Sequence, residues 1–458
     1  MMPLELKQIK EVVNGQSYYL QDENRIIDSI CSDSREITQN SLFIALVGDN
    51  FDGHSFTQQA IKDGAMAVLV NHKIDDDLLP QIVVDDTRQA LGQIASFLRE
   101  QSRAKIVALT GSSGKTSVKE MTATILQYCG QTLYTQGNFN NDIGVPLTLF
   151  RLTEQDQFAV IELGANHIGE IAYTTNIVKP QSALINNIAE AHIEGFGSLE
   201  GVAKAKGEIF QGLSDHGTAI INLDSCSDKW FTQLTNKTVW TFSLANSSAD
   251  FYASNIQHAQ TTTFILHTPQ GECKIMLPLV GKHNISNAIA AAALALSVGA
   301  TLNQIQQGLA TLKPVKGRLF PIKLNQTQLI WDDTYNANVS SMSAAVKVLA
   351  KEPGYRILVV GDMGELGPEA EQYHRQIGQL AHQEKLDCVV SVGKLSQFIS
   401  QYSGVGHHFN NKQDAVNFLL TLLRQYSTLT MLVKGSRSAK MEELIEKIQL
   451  EQFKMSQD

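Results

Sequence analysis

Short apolar runs recur through the middle of the chain: "IVALT" at 106–110, "FAVIEL" at 158–163, "SALINNI" at 182–188 and "TAIINL" at 218–223. Unbroken runs of this length, ended by glycine, asparagine or a charge, are the pattern of strands covered on both faces. Helical stretches lie between them, so the pattern predicts a parallel sheet with crossover helices. A looser, Thr-rich section at about 235–280 predicts antiparallel strands. "NAIAAAALALSVGA", at 287–300, is too short to span a bilayer and predicts a buried helix packed closely through alanine.

Before this region, the chain to about residue 85 mixes short strands and helices and ends in "QIVVDDT". "ASFLREQSRAK" then reads as a connecting helix. After it, "TLKPVKGRL" carries Pro314 and Gly317 and reads as a hinge. The last third alternates regularly: "LIWDD", "YRILVV", "LDCVVSVG" and "LTMLVKG" as strands, with helices such as "SMSAAVKVLA" and "EAEQYHRQIGQLAHQ" following. The expected organisation is therefore α/β in three domains: 1–85, 86–313 and 314–458. In the last of these, polar clusters follow the strands: 332–336, Gly361-Asp362 and 434–437. Ligands of open α/β sheets bind at the carboxyl ends of strands, so these clusters suggest a site facing another domain.

Composition narrows the function. The 458 residues carry a net charge of -9 with no basic block, which argues against nucleic acid as the main partner. An acidic protein that binds anions must do so with local lysines, helix N-termini and metal ions. Cys31, Cys129, Cys226, Cys273 and Cys388 are scattered, odd in number and without a C-x-x-C pair, the pattern of reduced thiols in a cytoplasmic protein. The first residues lack the apolar core of a signal peptide, and nothing reads as membrane-embedded.

The chemistry begins at "IVALTGSSGKTSVKEM". A buried strand ends at Thr110, two glycines flank two serines, and a helical pattern starts after Lys115. This is a phosphate-binding loop shorter than G-x-x-x-x-G-K-[ST], with its working parts present. Gly111, Ser112, Ser113, Gly114, Lys115, Thr116 and Ser117 form the candidate ATP-binding loop. Glycines permit the tight turn, backbone N–H groups and the helix N-terminus favour an anion, Lys115 reaches phosphate oxygens, and the Thr116 hydroxyl suits Mg²⁺. Glu162 ends a neighbouring buried strand, either as a metal ligand or as half of a salt bridge at the sheet rim. His192 follows the next strand in a loop, a placement open to a structural or a metal-binding role. Lys206, after a glycine turn, reads from spacing alone as a surface lysine, with a charge clamp as the alternative.

At these residues the chain resembles the Mur ligase family, nearly end to end. "DSREITQNSLFIALVGDNFDGHSF" resembles its first-domain segment and "TGSSGKT" its shortened phosphate loop. "GNFNNDIGVPLTL", "IELGANHIGEI" and "AHIEGFGSLEGVAKAKGEIF" resemble its central signatures. "GKHNISNAIAA", "PVKGRL", "DDTYNANVSSM", "GDMGELG" and "VKGSRSAKME" resemble the remainder. The resemblance implies a UDP-binding domain, a P-loop-type ATPase domain and a Rossmann-like domain that takes an incoming dipeptide. It implies a monomeric ligase that joins D-Ala-D-Ala to UDP-MurNAc-tripeptide through an acyl phosphate, with ATP and two Mg²⁺ ions. Thr116 and Glu162 would hold one ion, and His192 would contribute to the other. Lys206 matches the lysine that the family carbamylates. Lys115, Glu162, His192 and Lys206 are thus the implied catalytic set.

Asn284 and Asn287 match residues near adenine, Arg318 and Asp333 the hinge-side ATP contacts, Ser34 and Arg35 the uridine-diphosphate region, and Asn138, Asn140 and Asn141 the substrate loop. Two departures touch no catalytic group: "TQNSLF" lacks the usual Pro-Gly-Asp before Leu-Phe, and Val339 stands where proline is common. The D-N-P-R run of the diaminopimelate-adding relative is missing, which favours the dipeptide-adding activity. Competing readings are another amide ligase of the superfamily, a kinase that releases the phosphorylated acid, and a nucleotide-dependent binding protein.

Overall fold

The computed structural model describes residues 1–48, 50–76, 78–190, 193–225, 230, 234, 236–244, 246–258 and 261–455. Its first body is a five-stranded sheet in the spatial order Gln16–Tyr18, Gln81–Val83, Ala65–Val70, Ser41–Ile44, Ser29–Cys31. Only the first pairing is antiparallel. Leu42 to Ile44 and Val68 to Val70 are buried, as unbroken apolar runs require.

The helix Thr87–Gln101 then leads to the central sheet. Its cap, Asp86, accepts from the N–H groups of Arg88 (2.7 Å) and Gln89 (3.0 Å). Leu91, Ile94 and Leu98 are buried, and Arg99 donates to the carbonyls of Val178 (2.7 Å) and Lys179 (3.0 Å) in the central region.

The central sheet has nine strands in the order Thr132–Tyr134, Phe158–Glu162, Lys105–Thr110, Ser182–Ile185, Thr218–Asn222, Thr238–Ser243, Phe251–His258, Thr262–Thr268, Gly271–Leu277. The last three form an antiparallel meander, as expected of the Thr-rich section. Thr238–Ser243 departs from that expectation and runs parallel to Thr218–Asn222. β-Branched composition specifies a strand but not its direction. Residues 223–237 are long enough for the crossover that parallel pairing needs.

On one face the alanine-rich helix Lys282–Ser297 packs against the loop helix Lys115–Gln127. Ala288 and Ala290 to Ala293 are fully buried there, and small side chains let the two backbones approach. The helix Leu302–Ala310 crosses the same loop helix at Gly308, where a Cβ would lie 2.6 Å from Ile125 Cα.

Beyond the turn at Gly317 (φ 77°), the last sheet runs Phe320–Lys323, Gln328–Asp333, Leu429–Lys434, Tyr355–Val360, Cys388–Val392, Gly406–Phe409. All but the first strand are parallel. Lys434 is in register with both Asp333 and Val360, so the polar clusters read from sequence meet at one sheet edge. Val339 is the first residue of the helix Val339–Leu349, capped by Asn338, whose Oδ1 accepts from Ser341 N (2.8 Å). That position suits proline, so valine there costs the helix little. Among the described residues, no helix is long and apolar enough to cross a membrane.

Gly308→Ala forces backbone atoms of two helices apart, so it should destabilise the protein by about 1–3 kcal/mol. Calorimetry of unfolding checks this; an unchanged unfolding temperature would contradict the packing described.

Candidate active site

Two cavities lie between the central and last sheets. The larger, about 1200 Å³, is lined by Ser112 to Thr116, Asn138, Asn140, Asn141 and Glu162 from the central region and by Arg318, Tyr335, Asn338 and Arg437 from the last. A smaller one of about 190 Å³ is lined by Ser117, His283, Asn284, Asn287, Asp333 and Lys434, and shares Ser113, Gly114, Arg318 and Ser341 with the first. Most residues singled out from sequence therefore meet around one loop.

The loop leaves the central strand at Thr110. Gly111 (φ 157°) and Gly114 (φ 74°) make the turn, and at Gly114 a Cβ would meet the side-chain amides of Asn186 and Asn287 at 2.6 Å. Two of the N–H groups expected to face an anion are already engaged. Ser112 N donates to Asn187 O (3.0 Å) and Ser113 N to Asn187 Oδ1 (2.8 Å). Asn186 Nδ2 donates to Ser113 O (2.9 Å) and to Asn287 Oδ1 (3.0 Å). The neighbouring strand thus holds the loop from behind. The anion cradle falls to the first turn of the helix, whose N–H groups have no intrahelical partner.

Lys115 Nζ donates to Gly111 O (2.8 Å), folded back over its own loop. Loss of hydration pulls its pKa below the ordinary value; Arg318 adds to this and Glu162 opposes it. Glu162 ends the adjacent strand, in register with Leu109, and is 2% exposed. Asn140 Nδ2 donates to its Oε1 (2.8 Å), so this amide, expected to face substrate, orients the carboxylate. Oε2 is buried with no partner. A buried carboxylate oxygen of this kind is costly unless a cation meets it. The donors fit Mg²⁺, which takes few protein oxygens and keeps several waters. Among the described residues Glu162 forms no sheet-rim salt bridge; its partner is an amide. Among the described residues no three His, Cys, Asp or Glu side chains converge on a metal position. His192 lies outside the described residues.

Lys206 is not a surface lysine. It sits in the helix Leu199–Gly207, 1% exposed, with Nζ 5.3 Å from the Phe196 ring centroid. Burial, reinforced by Lys115, lowers its pKa to about 7, against the pull of Glu170, Glu208 and Glu162. The helix period hides this from a reading of spacing, because only the fold shows which face is covered.

From the last region, Arg318 reaches across. Its Nη2 donates to Thr116 Oγ1 (3.3 Å) and its guanidinium lies 4.3 Å from the Tyr335 ring centroid. Asn338 Nδ2 donates to Ser112 O (3.1 Å). Asp333 accepts from Leu319 N (3.2 Å) and from Lys434 Nζ (2.7 Å), and Lys434 also reaches Asn336 O (2.9 Å). Asn284 Nδ2 is tied to Val280 O (2.8 Å). Asn141 Oδ1 accepts from Gly144 N (2.8 Å), shaping its own loop. Ser34 and Arg35 stay in the first body and line neither cavity; Arg35 is bound to Asp33. Sequence reasoning missed Asn186, Asn187 and His283. The one available signal was the pair of amides that ends the run "SALINNI".

A glycine loop between strand and helix, a lysine folded over it and a buried carboxylate on the next strand define a nucleotide-binding α/β enzyme. Comparison with known proteins is specific. Residues 26–99 match the Mur ligase family catalytic domain, 109–295 the Mur ligase middle domain, and 317–437 the Mur ligase glutamate ligase domain. The chain is 54% identical to UDP-N-acetylmuramoyl-tripeptide--D-alanyl-D-alanine ligase of Escherichia coli (strain K12), across 98% of this chain and 99% of that one. MurF from Acinetobacter baumannii superposes with a TM-score of 0.93 at 38% identity, covering 98% and 99% of the two chains. MurF ligase from Thermotoga maritima, solved in complex with ADP, superposes at 0.84 with 25% identity, covering 93% and 98%. The chain belongs to the Mur ligase family.

Lys206 gives a signed expectation. With a folded pKa near 7 and an ordinary value of 10.5, the unfolded chain binds the extra proton between those limits. Stability should therefore rise with pH across that window and carry the full burial cost below it. Denaturant titrations from pH 7 to 10 should show a steeper rise for the unmodified protein than for Lys206→Met. Parallel curves would contradict the assignment.

Proposed function

We propose that this chain is the cytoplasmic ATP-dependent ligase that joins D-alanyl-D-alanine to UDP-N-acetylmuramoyl-tripeptide in peptidoglycan precursor synthesis. The supporting observation is that the phosphate loop, Glu162 and the cations of the last domain line one cavity. In the first step a carboxylate oxygen of the tripeptide attacks the γ-phosphorus; an O–P bond forms and ADP leaves. In the second, the dipeptide amine attacks the acyl phosphate carbon, and the tetrahedral intermediate expels phosphate.

Both partners of the first step are anions, so positive charge must be in place beforehand. Lys115 and Arg318 supply it from either side of the loop. Thr116 and Glu162 would hold a Mg²⁺ ion, which supplies Lewis-acid charge on phosphate oxygens. The adenosine half would lie in the smaller cavity, against Asn284, Asn287 and Asp333. Asp333 then exchanges part of its bonding to Lys434 for the ribose. Ser34 and Arg35 would hold the uridine diphosphate in the 1–85 domain, Asn138 and Asn141 the peptide end in the 86–313 domain, and the 314–458 domain the dipeptide.

A second ion would sit toward His192 and Lys206. A pKa near 7 leaves part of Lys206 as free amine. That amine can add to CO₂, forming an N–C bond and releasing a proton, which turns a cation into an anion fit to support the ion.

Phosphate release with ATP, UDP-MurNAc-tripeptide and D-Ala-D-Ala, each omitted in turn, tests the reading. Turnover should need all three and give one new amide per ADP. Turnover without the dipeptide would point to a kinase, and none at all to a binding protein. Protein equilibrated with ¹³C-labelled CO₂ should show a carbamate carbon resonance that Lys206→Arg lacks; its persistence in that variant would remove Lys206 from the carbamate role.

A further inference from the structure

The segment that leaves the strand Phe158–Glu162 follows the wall of the large cavity. Gly164, Ala165, Asn166 and Glu170 line it together with Glu162. Glu170 opens the helix Glu170–Val178, and that helix is held at both ends by buried charge. At its start Glu208, 6% exposed, accepts from Gly169 N (2.7 Å) and Ala172 N (3.0 Å). At its end Arg99, 8% exposed, donates to Val178 O (2.7 Å) and Lys179 O (3.0 Å). Each charge has the sign that the helix dipole favours. Thr175 Oγ1 adds a bond to Ile209 O (2.9 Å). A helix of 9 residues so fixed presents its first side chain to the cavity in one place.

The Glu170 carboxylate accepts from Asn166 N (2.8 Å) and meets His167 Nδ1 at 3.0 Å. No Lys or Arg among the described residues pairs with it, and a carboxylate has acceptor capacity for further donors. Burial works to raise its pKa, but the Asn166 and His167 donors outweigh this and keep it below the ordinary carboxylate range. It is therefore an anion at neutral pH. Glu365 also lines the cavity; Glu442 pairs with Arg437 (2.8 Å), Asp332 accepts from the Thr334 hydroxyl (2.6 Å) and backbone (3.1 Å), and Glu162 accepts from Asn140 (2.8 Å), while one oxygen each of Glu442 and Glu162 is buried with no hydrogen-bond partner.

We propose that Glu170 receives the primary ammonium group of the incoming dipeptide and sets it beside the carboxyl group to be activated. This rests on the ligase reading above. An α-amine is mostly protonated at neutral pH and needs an anion to bind it. Glu170 and Glu162 line the same cavity, so a group bound at Glu170 shares the space of the phosphoryl transfer. The competing source of a primary ammonium is a side-chain amine on the tripeptide's third residue, which has no need to approach the reacting carbon.

The test compares the unmodified protein with Glu170→Gln and Glu170→Asp. It reads KM for D-Ala-D-Ala, KM for UDP-MurNAc-tripeptide, inhibition by N-propionyl-D-alanine (the dipeptide with its amine replaced by hydrogen), and hydroxamate formed when hydroxylamine replaces the dipeptide. Glu170→Gln should raise KM for D-Ala-D-Ala on the order of 10- to 100-fold, the loss expected of a charge-assisted bond. KM for the UDP substrate, hydroxamate formation and inhibition by the amine-free analogue should stay unchanged, which also shows that the variant is folded. Glu170→Asp should recover part of the dipeptide affinity. An unchanged KM for D-Ala-D-Ala overturns the proposal. A rise confined to the UDP substrate overturns it in favour of the tripeptide's amine. Loss of hydroxamate in Glu170→Gln alone overturns it in favour of a role in phosphorylation. Absence of hydroxamate from the unmodified protein overturns the acyl phosphate itself, and this proposal with it.

Discussion

Leu109 stands opposite Glu162 in a parallel pair, and the site depends on that register. It places the last residues of the loop strand beside the one carboxylate that ends the neighbouring strand. On the other side, Thr110 pairs with Ile185, which brings Asn186 and Asn187 behind the loop. A shift of one residue on either side would reverse every side chain of that strand. The apolar runs covered on both faces therefore do more than form a core. They set a lysine, a hydroxyl and a carboxylate on the wall of one cavity.

Charge is the second constraint. Lys115, Arg318 and Lys206 converge near Glu162 before any substrate arrives, and burial leaves Lys115 and Lys206 poorly solvated. Such cations repel one another until anions enter, so phosphate complements the arrangement rather than disturbing it. Arg318 and Asn338 reach from the last domain to Thr116 and Ser112. The loop is thus touched from both domains.

The phosphate loop was legible in the sequence because its mechanics are local: a strand, two glycines and a helix start within a few residues. The parallel core of the central region and the alternation of the last third were legible for the same reason. Lys206 was not, since a lysine on a helix shows no burial until its neighbours are known. Asn140, expected at the substrate loop, lines the cavity, and its tie to Glu162 across 22 positions has no local signal. The direction of Thr238–Ser243 depends on a crossover, not on its composition. Asn186 and Asn187 act through contacts more than seventy positions away, beyond the reach of any local pattern.

The central claim is that the cavity carries a carboxylate through phosphorylation. The most direct measurement is the fate of oxygen in UDP-MurNAc-tripeptide labelled with ¹⁸O in its terminal carboxyl group. After turnover with ATP and D-Ala-D-Ala, one labelled oxygen per amide bond should appear in the released phosphate, because the C–O bond breaks as phosphate leaves. Unlabelled phosphate alongside a fully formed amide would contradict the account.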